Sequence, residues 1–161
     1  MKKVKLLVAF CICIVITDGI TVYAKDDCFL TEEEVYEMAV EIGAMYDICS
    51  ELLVSIAYQE SRYKVNAVNG HNVGIMQNHD VYNKQRMERL EITDLYDPYS
   101  SMIVAADYLA ELKAKYADVA YVLDIYHGDS RAEKNFKNGI ISRYASQILE
   151  RSASLEELHG K

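Results

Sequence analysis

Leu53, Ile56 and Ala57 recur at helical spacing, and the next position on their stripe is Glu60. A carboxylate that closes an apolar face is a candidate for proton chemistry. Desolvation by such neighbours opposes its ionisation. So does the negative end of a helix macrodipole, if Glu60 sits in the last turn. No Lys or Arg stands one turn upstream, although Arg62 and Lys64 follow closely and Arg62 would act the other way if it turned inward. An acid kept neutral near neutral pH can donate its proton to a leaving group. The competing reading is a glutamate at a frayed helix end, pointing into water. Downstream, the nearest candidate for a second acid is Asp80, whose better role is to cap a helix that follows it.

The elements that must position Glu60 are almost all helical. Thr31-Glu32-Glu33-Glu34 reads as a capping box, with Leu30 and Val35 as its hydrophobic staple. Val35, Met38, Ala39 and Ile42 give that helix one apolar face, and Gly43 is expected to close it. The helix carrying Glu60 runs from Ile48 or Ser50 to Ser61. Residues 64–79 then break the pattern, because Asn66, Asn69, Gly70, Asn72, Gly74 and Asn78 supply turn chemistry. Val65, Val68, Val73 and Ile75 could form a small hairpin at most. A short helix is expected from Asp80 to about Leu90, and Asp97-Pro98 starts one lined by Met102, Ala105, Ala106, Leu109 and Leu112. Asp118 caps the next, with Val119, Val122, Leu123 and Tyr126 inward. Ser130 and Glu133 form a further capping box whose helix ends at Gly139, and a last helix carries Tyr144, Ile148 and Leu149. The expected fold is mainly α, in one domain. Its longest irregular segment directly follows Glu60, where a binding groove belongs.

Glu60-Ser61, Tyr63, Asn66-Ala67-Val68 and Gly74-Ile75-Met76-Gln77 occur in that order, followed by Asp97-Pro98, Tyr108–Leu112 and Tyr126-His127. Together they resemble the soluble-type lytic transglycosylases (SLT domains) of the lysozyme-like superfamily. The likeness covers about residues 47–150. It implies a lysozyme-like fold and cleavage of the β-1,4 bond between N-acetylmuramic acid and N-acetylglucosamine in peptidoglycan. It also implies that Glu60 first protonates the glycosidic oxygen and then accepts the proton of the sugar's own C6 hydroxyl, leaving a 1,6-anhydro end. Ordinary glycosidases need a second carboxylate; a reaction that uses an internal hydroxyl with acetamido assistance does not. On the same resemblance Ser61, Met76, Gln77, Tyr126 and His127 would contact substrate. Ser61 could equally help end its helix, Met76 could fill the core and Gln77 could bond its own loop. Tyr126 would direct its hydroxyl toward Glu60, the alternative being a buried tyrosine satisfied elsewhere. The chain departs from the family where Asn69 replaces a serine, His127 an asparagine and Asp129 a glycine, and in a loop one residue shorter.

Lys2, Lys3 and Lys5 precede the apolar run Leu6–Ile16, and Val22-Tyr23-Ala24 suits a signal peptidase. A signal peptide over 1–24 is therefore expected, then an N-terminal segment with the first helix over 25–46 and a catalytic domain over 47–158. An uncleaved N-terminal anchor is the alternative, and either way the domain is exported. Residues 1–24 hold three Lys and one Asp, so removing them takes the formal charge from −8 to −10. Such a balance argues against nucleic acid or anionic lipid as partner, since both are bound mainly through Lys and Arg. Cys28 and Cys49 remain as a pair in an exported chain, and a disulfide between them is expected over two separate thiols. No cofactor is implied, and His71, His79, His127 and His159 lack metal-ligand spacing. Thirteen tyrosines against no tryptophan suit a groove that stacks on sugars. Peptidoglycan strands are the expected partner, with a secretion or conjugation apparatus as a possible setting. A hydrolase of the goose-type lysozyme kind and a non-catalytic wall-binding protein on the same fold are the rival functions.

Overall fold

The computed structural model describes residues 28–161. The expected signal peptide, with Cys11 and Cys13, lies outside them. The described chain runs α1 (Glu32–Tyr46), α2 (Ser50–Ser61), β1 (Val68–Asn69), β2 (Asn72–Val73), β3 (Asn78–His79), α3 (Lys84–Arg89), α4 (Pro98–Lys115), α5 (Val119–His127), α6 (Ala132–Lys137) and α7 (Arg143–Leu158). This is the mainly α, lysozyme-like architecture expected from the sequence. The hairpin is slightly larger than anticipated, because Asn78 and His79 add a third antiparallel strand to the order β1-β2-β3.

Helix α2 lies at the centre, packed against α1 on one side and α7 on the other. Leu53, Val54, Ile56 and Ala57 are fully buried, and a helix apolar on most sides needs such a position. Around it close Val35, Ala39 and Ile42 of α1, Met102, Ala105 and Leu109 of α4, Leu123 of α5 and Ile148 of α7. Each large aliphatic side chain removed from water here contributes about 1.5–3 kcal/mol. A second small cluster, Val73, Leu95 and Val104, sits beneath the sheet.

The local signals explain most boundaries. Thr31 and Glu34 make the capping box, and Asp97 and Asp118 accept from the backbone N–H of Ser100 and Tyr121. Three expectations need correction. Helix α1 runs past Gly43 to Tyr46 and closes at Asp47 in left-handed backbone (φ 52°). Gly43 serves a close approach instead: a Cβ there would lie 2.5 Å from the Ile48 carbonyl oxygen. Helix α3 starts at Lys84, and Asp80 accepts from His71 Nδ1 at 3.0 Å rather than capping it. Helix α6 starts after Arg131 with no side-chain cap, because Asp129, not Ser130, accepts the Arg131 N–H at 2.9 Å.

The expected disulfide is absent, and Cys28 and Cys49 are both exposed free thiols. Cys28 pairs beyond the C-terminal end of α2, where its carbonyl accepts from Val65 N at 2.8 Å. Cys49 is the N-cap of the same 12-residue helix. Such a helix is about 18 Å long, far beyond the Cα separation of roughly 4.4–6.8 Å that a disulfide spans. The Cys49 Sγ donates instead to Glu51 at 3.0 Å.

Candidate active site

Helix α2 stops where Arg62 and Tyr63 turn left-handed, at φ 57° and 66°. Glu60 is therefore held in its last turn. The side chain is 14% exposed and lines a groove of about 510 Å³. Gln77, Tyr126 and His127 line the same groove. Four of the six expected site residues thus come together, although Gln77 is 17 positions from Glu60 and Tyr126 lies on another helix.

The other two do not reach the groove. Met76 is fully buried in the core. Ser61 donates its hydroxyl to the Ile75 carbonyl at 2.8 Å, which ties the end of α2 to the turn at 74–78. That turn is held from two further helices. Tyr126 of α5 donates to the Met76 carbonyl at 2.9 Å, and buried Asn78 donates to the Ser101 carbonyl of α4 at 2.8 Å. Tyr126 therefore braces the loop rather than donating to Glu60, which corrects the expected contact. Burial, then the nearby Glu60 charge, pushes its phenol well above the ordinary tyrosine range. Gln77, at φ 48°, donates its amide to the carbonyls of Gly74 (3.0 Å) and Ala67 (3.3 Å). Its Oε1 has no partner among the described residues. A non-glycine residue in left-handed backbone is costly and recurs at functional sites.

The group that touches Glu60 is not among the expected site residues. Tyr144, in the first turn of α7, donates its hydroxyl to Glu60 Oε1 at 2.5 Å. Ser142 caps α7 and also donates to Asp124 of α5, so the two helices are fixed together where Tyr144 emerges. Burial, then the Glu60 charge, raises the Tyr144 phenol well above its usual range, which keeps it a donor. His127 stacks on the Tyr144 ring at 4.0 Å and 17°, and its Nδ1 lies 3.9 Å from Glu60 Oε1. The Glu60 carboxylate raises the His127 imidazole above its ordinary value, against partial desolvation. Glu60 Oε2 has no hydrogen-bond partner among the described residues.

A second carboxylate, Glu111 of α4, also lines the groove and was not anticipated. Both its oxygens are engaged, Oε1 by Lys115 at 2.5 Å and Oε2 by Arg86 at 2.6 Å. Lys115 first, and then Arg86, hold it below the usual carboxylate range. Among the described residues no cluster of three or more His, Cys, Asp or Glu could hold a metal ion.

The Invasion protein IagB of Salmonella typhi is 31% identical over 144 residues, which cover 84% of this chain and 81% of that protein. The protein of the same name from Salmonella typhimurium strain SL1344 matches to the same extent. An inactive mutant of the lytic transglycosylase Slt from Pseudomonas aeruginosa superposes with a TM-score of 0.67 at 16% identity. It matches 77% of this chain, but the chain spans only 24% of that larger protein, so the likeness is one of fold. The transglycosylase SLT domain matches residues 37–142, a stretch that contains Glu60, Gln77 and Tyr126. On that match, the chain belongs to the transglycosylase SLT domain family.

Proposed function

We propose that the protein is an exported peptidoglycan lytic transglycosylase in which Glu60 is the only acid and base. Its Oε2 would carry the proton to the glycosidic oxygen between N-acetylmuramic acid and N-acetylglucosamine. The C1–O4 bond breaks, the muramic acetamido group supports the cationic sugar, and Glu60 becomes a carboxylate. The C6 hydroxyl then attacks C1 and returns its proton to Glu60, closing the 1,6-anhydro ring. No water is consumed.

The observation that carries this reading is the state of the two carboxylates in the groove. Among the described residues Glu60 has one oxygen on Tyr144 and one without a partner, whereas Glu111 has both oxygens on cations. A hydrolase needs a second free carboxylate to activate water or attack the sugar, and Glu111 is badly placed to serve. The Salmonella relatives are named invasion proteins; opening the wall for an export apparatus is the setting we propose for this chain.

Digestion of purified cell walls followed by mass spectrometry tests the proposal. Muropeptides should end in anhydro sugars, lighter by one water than hydrolysis products, and Glu60→Gln should release none. Reducing muramic ends alone would make the protein a hydrolase. Equal wall clearing by wild type and Glu60→Gln would take Glu60 out of the mechanism.

A further inference from the structure

Tyr82 has a ring that burial does not explain. The side chain is 82% exposed, the most open of the large hydrophobic residues described, yet it is not loose. Its ring lies on His79 at 4.0 Å and 24°, and His79 lies on His71 at 5.2 Å and 22°. The stack is fixed at its base. His71 Nδ1 bonds Asp80 at 3.0 Å, the Asp80 N–H donates to the His71 carbonyl at 3.0 Å, and the Tyr82 N–H donates to His79 Nδ1 at 3.3 Å. One face of Tyr82 is therefore covered by imidazole and the other is offered to solvent.

We propose that Tyr82, backed by His79 and His71, is a platform on which a sugar ring of the bound glycan stacks, in a subsite beyond the one at Glu60. Tyr82 and His79 line the same groove as the acid, so one strand can lie across both. The face of an aromatic ring is electron-rich, and the C–H face of a pyranose is its complement. The same groove is lined by Asn69 and Asn72, whose amides donate and accept without charge, and by Gln77, whose Oε1 can accept; these suit hydroxyl and acetamido groups. The groove's arginine, Arg86, is already engaged by Asp107, Glu111 and Asn83, which leaves it poorly placed to hold a phosphate. The ligand is accordingly a neutral sugar. This inference rests on the glycan reading proposed above.

Its test uses the full mature chain with Glu60→Gln, so that binding is read without cleavage. The probe is the N-acetylglucosamine hexamer, titrated by calorimetry. Adding Tyr82→Ala should weaken binding by about five- to tenfold, whereas Tyr82→Phe should stay within about twofold because the ring is kept. The ring is exposed, so its removal leaves the core intact, and an unchanged melting temperature checks this. The platform is overturned if Tyr82→Ala binds within twofold of its parent, or if Tyr82→Phe loses as much as Tyr82→Ala. Failure of Glu60→Gln itself to bind the hexamer would instead overturn the glycan reading, and the platform with it.

Discussion

When Glu60 gives up its proton, the new charge forms beside a hydroxyl that already donates to it at 2.5 Å. A hydrogen bond to a charged group contributes about 1.5–3 kcal/mol. Tyr144→Phe should therefore lower kcat by about 10- to 100-fold with little change in KM, as steady-state assays on soluble wall fragments would report. An unchanged kcat would detach Tyr144 from the chemistry. His127 faces Glu60 and Tyr144, with Asp124 and Asp129 near it. Because its folded value is raised, its stabilising contribution is complete below its unfolded pKa of about 6.5 and is lost as pH rises through the folded value. His127→Asn should thus lower the melting temperature more at about pH 5.5 than at about pH 8.5. Equal losses at both would show that only stacking was removed. Glu60 was legible in the sequence because its evidence is local, one helix turn of apolar residues before it. Tyr144 was not, because it arrives from 84 positions away on a helix face that periodicity alone reads as packing.

At the scale of elements, the turn at 74–78 decides whether the groove exists. Ser61, Ser101 and Tyr126 reach it from three helices, and Gly74 lets it pass beneath the chain at Leu95. A Cβ on Gly74 would lie 2.0 Å from the Leu95 carbonyl oxygen, on a backbone at φ 78°. Gly74→Ala should cost at least about 3 kcal/mol, since strain and a backbone clash add. Gly70 also has positive φ but open space around it, so Gly70→Ala should cost only about 1 kcal/mol. Urea midpoints compare the two, and similar losses would mean that the close approach does not matter. Helix starts at Thr31, Asp97 and Asp118 were readable because a cap is a short-range bond. The roles of Met76, Ser61 and Tyr126 were not, because a motif names residues without saying which way they face. In the fold Tyr126 and Ser61 hold the backbone carbonyls of Met76 and Ile75, and the groove's amides and rings do the facing.

The whole molecule is closed at the far end of α2 by a carboxylate that neither the motif nor the groove involves. Glu51 is fully buried, yet it accepts from Tyr36 of α1 at 3.2 Å and from Ser50 at 3.1 Å. It also meets His159 at 2.9 Å and Lys161 at 2.8 Å, both beyond α7. Desolvation is the largest influence on it and works against the charge, but the bonds from Lys161, Cys49 and His159 prevail and lower its pKa strongly. Its place in the first turn of α2 favours the anion as well. This knot pins the chain after α7 to the start of α2, and α7 carries Tyr144 to the acid at the other end of that helix. Glu51→Gln removes the buried carboxylate that Lys161 and His159 reach from the surface and should cost about 1.5–3 kcal/mol near neutral pH. A depressed folded value means that the contribution is present above the unfolded pKa, about 4.5, and is lost as pH falls toward the folded one. The stability gap between wild type and Glu51→Gln should accordingly shrink as denaturation is repeated from about pH 7 down to about pH 3. A gap that stays constant over that range would mean that the bonds at Glu51 hold shape rather than charge.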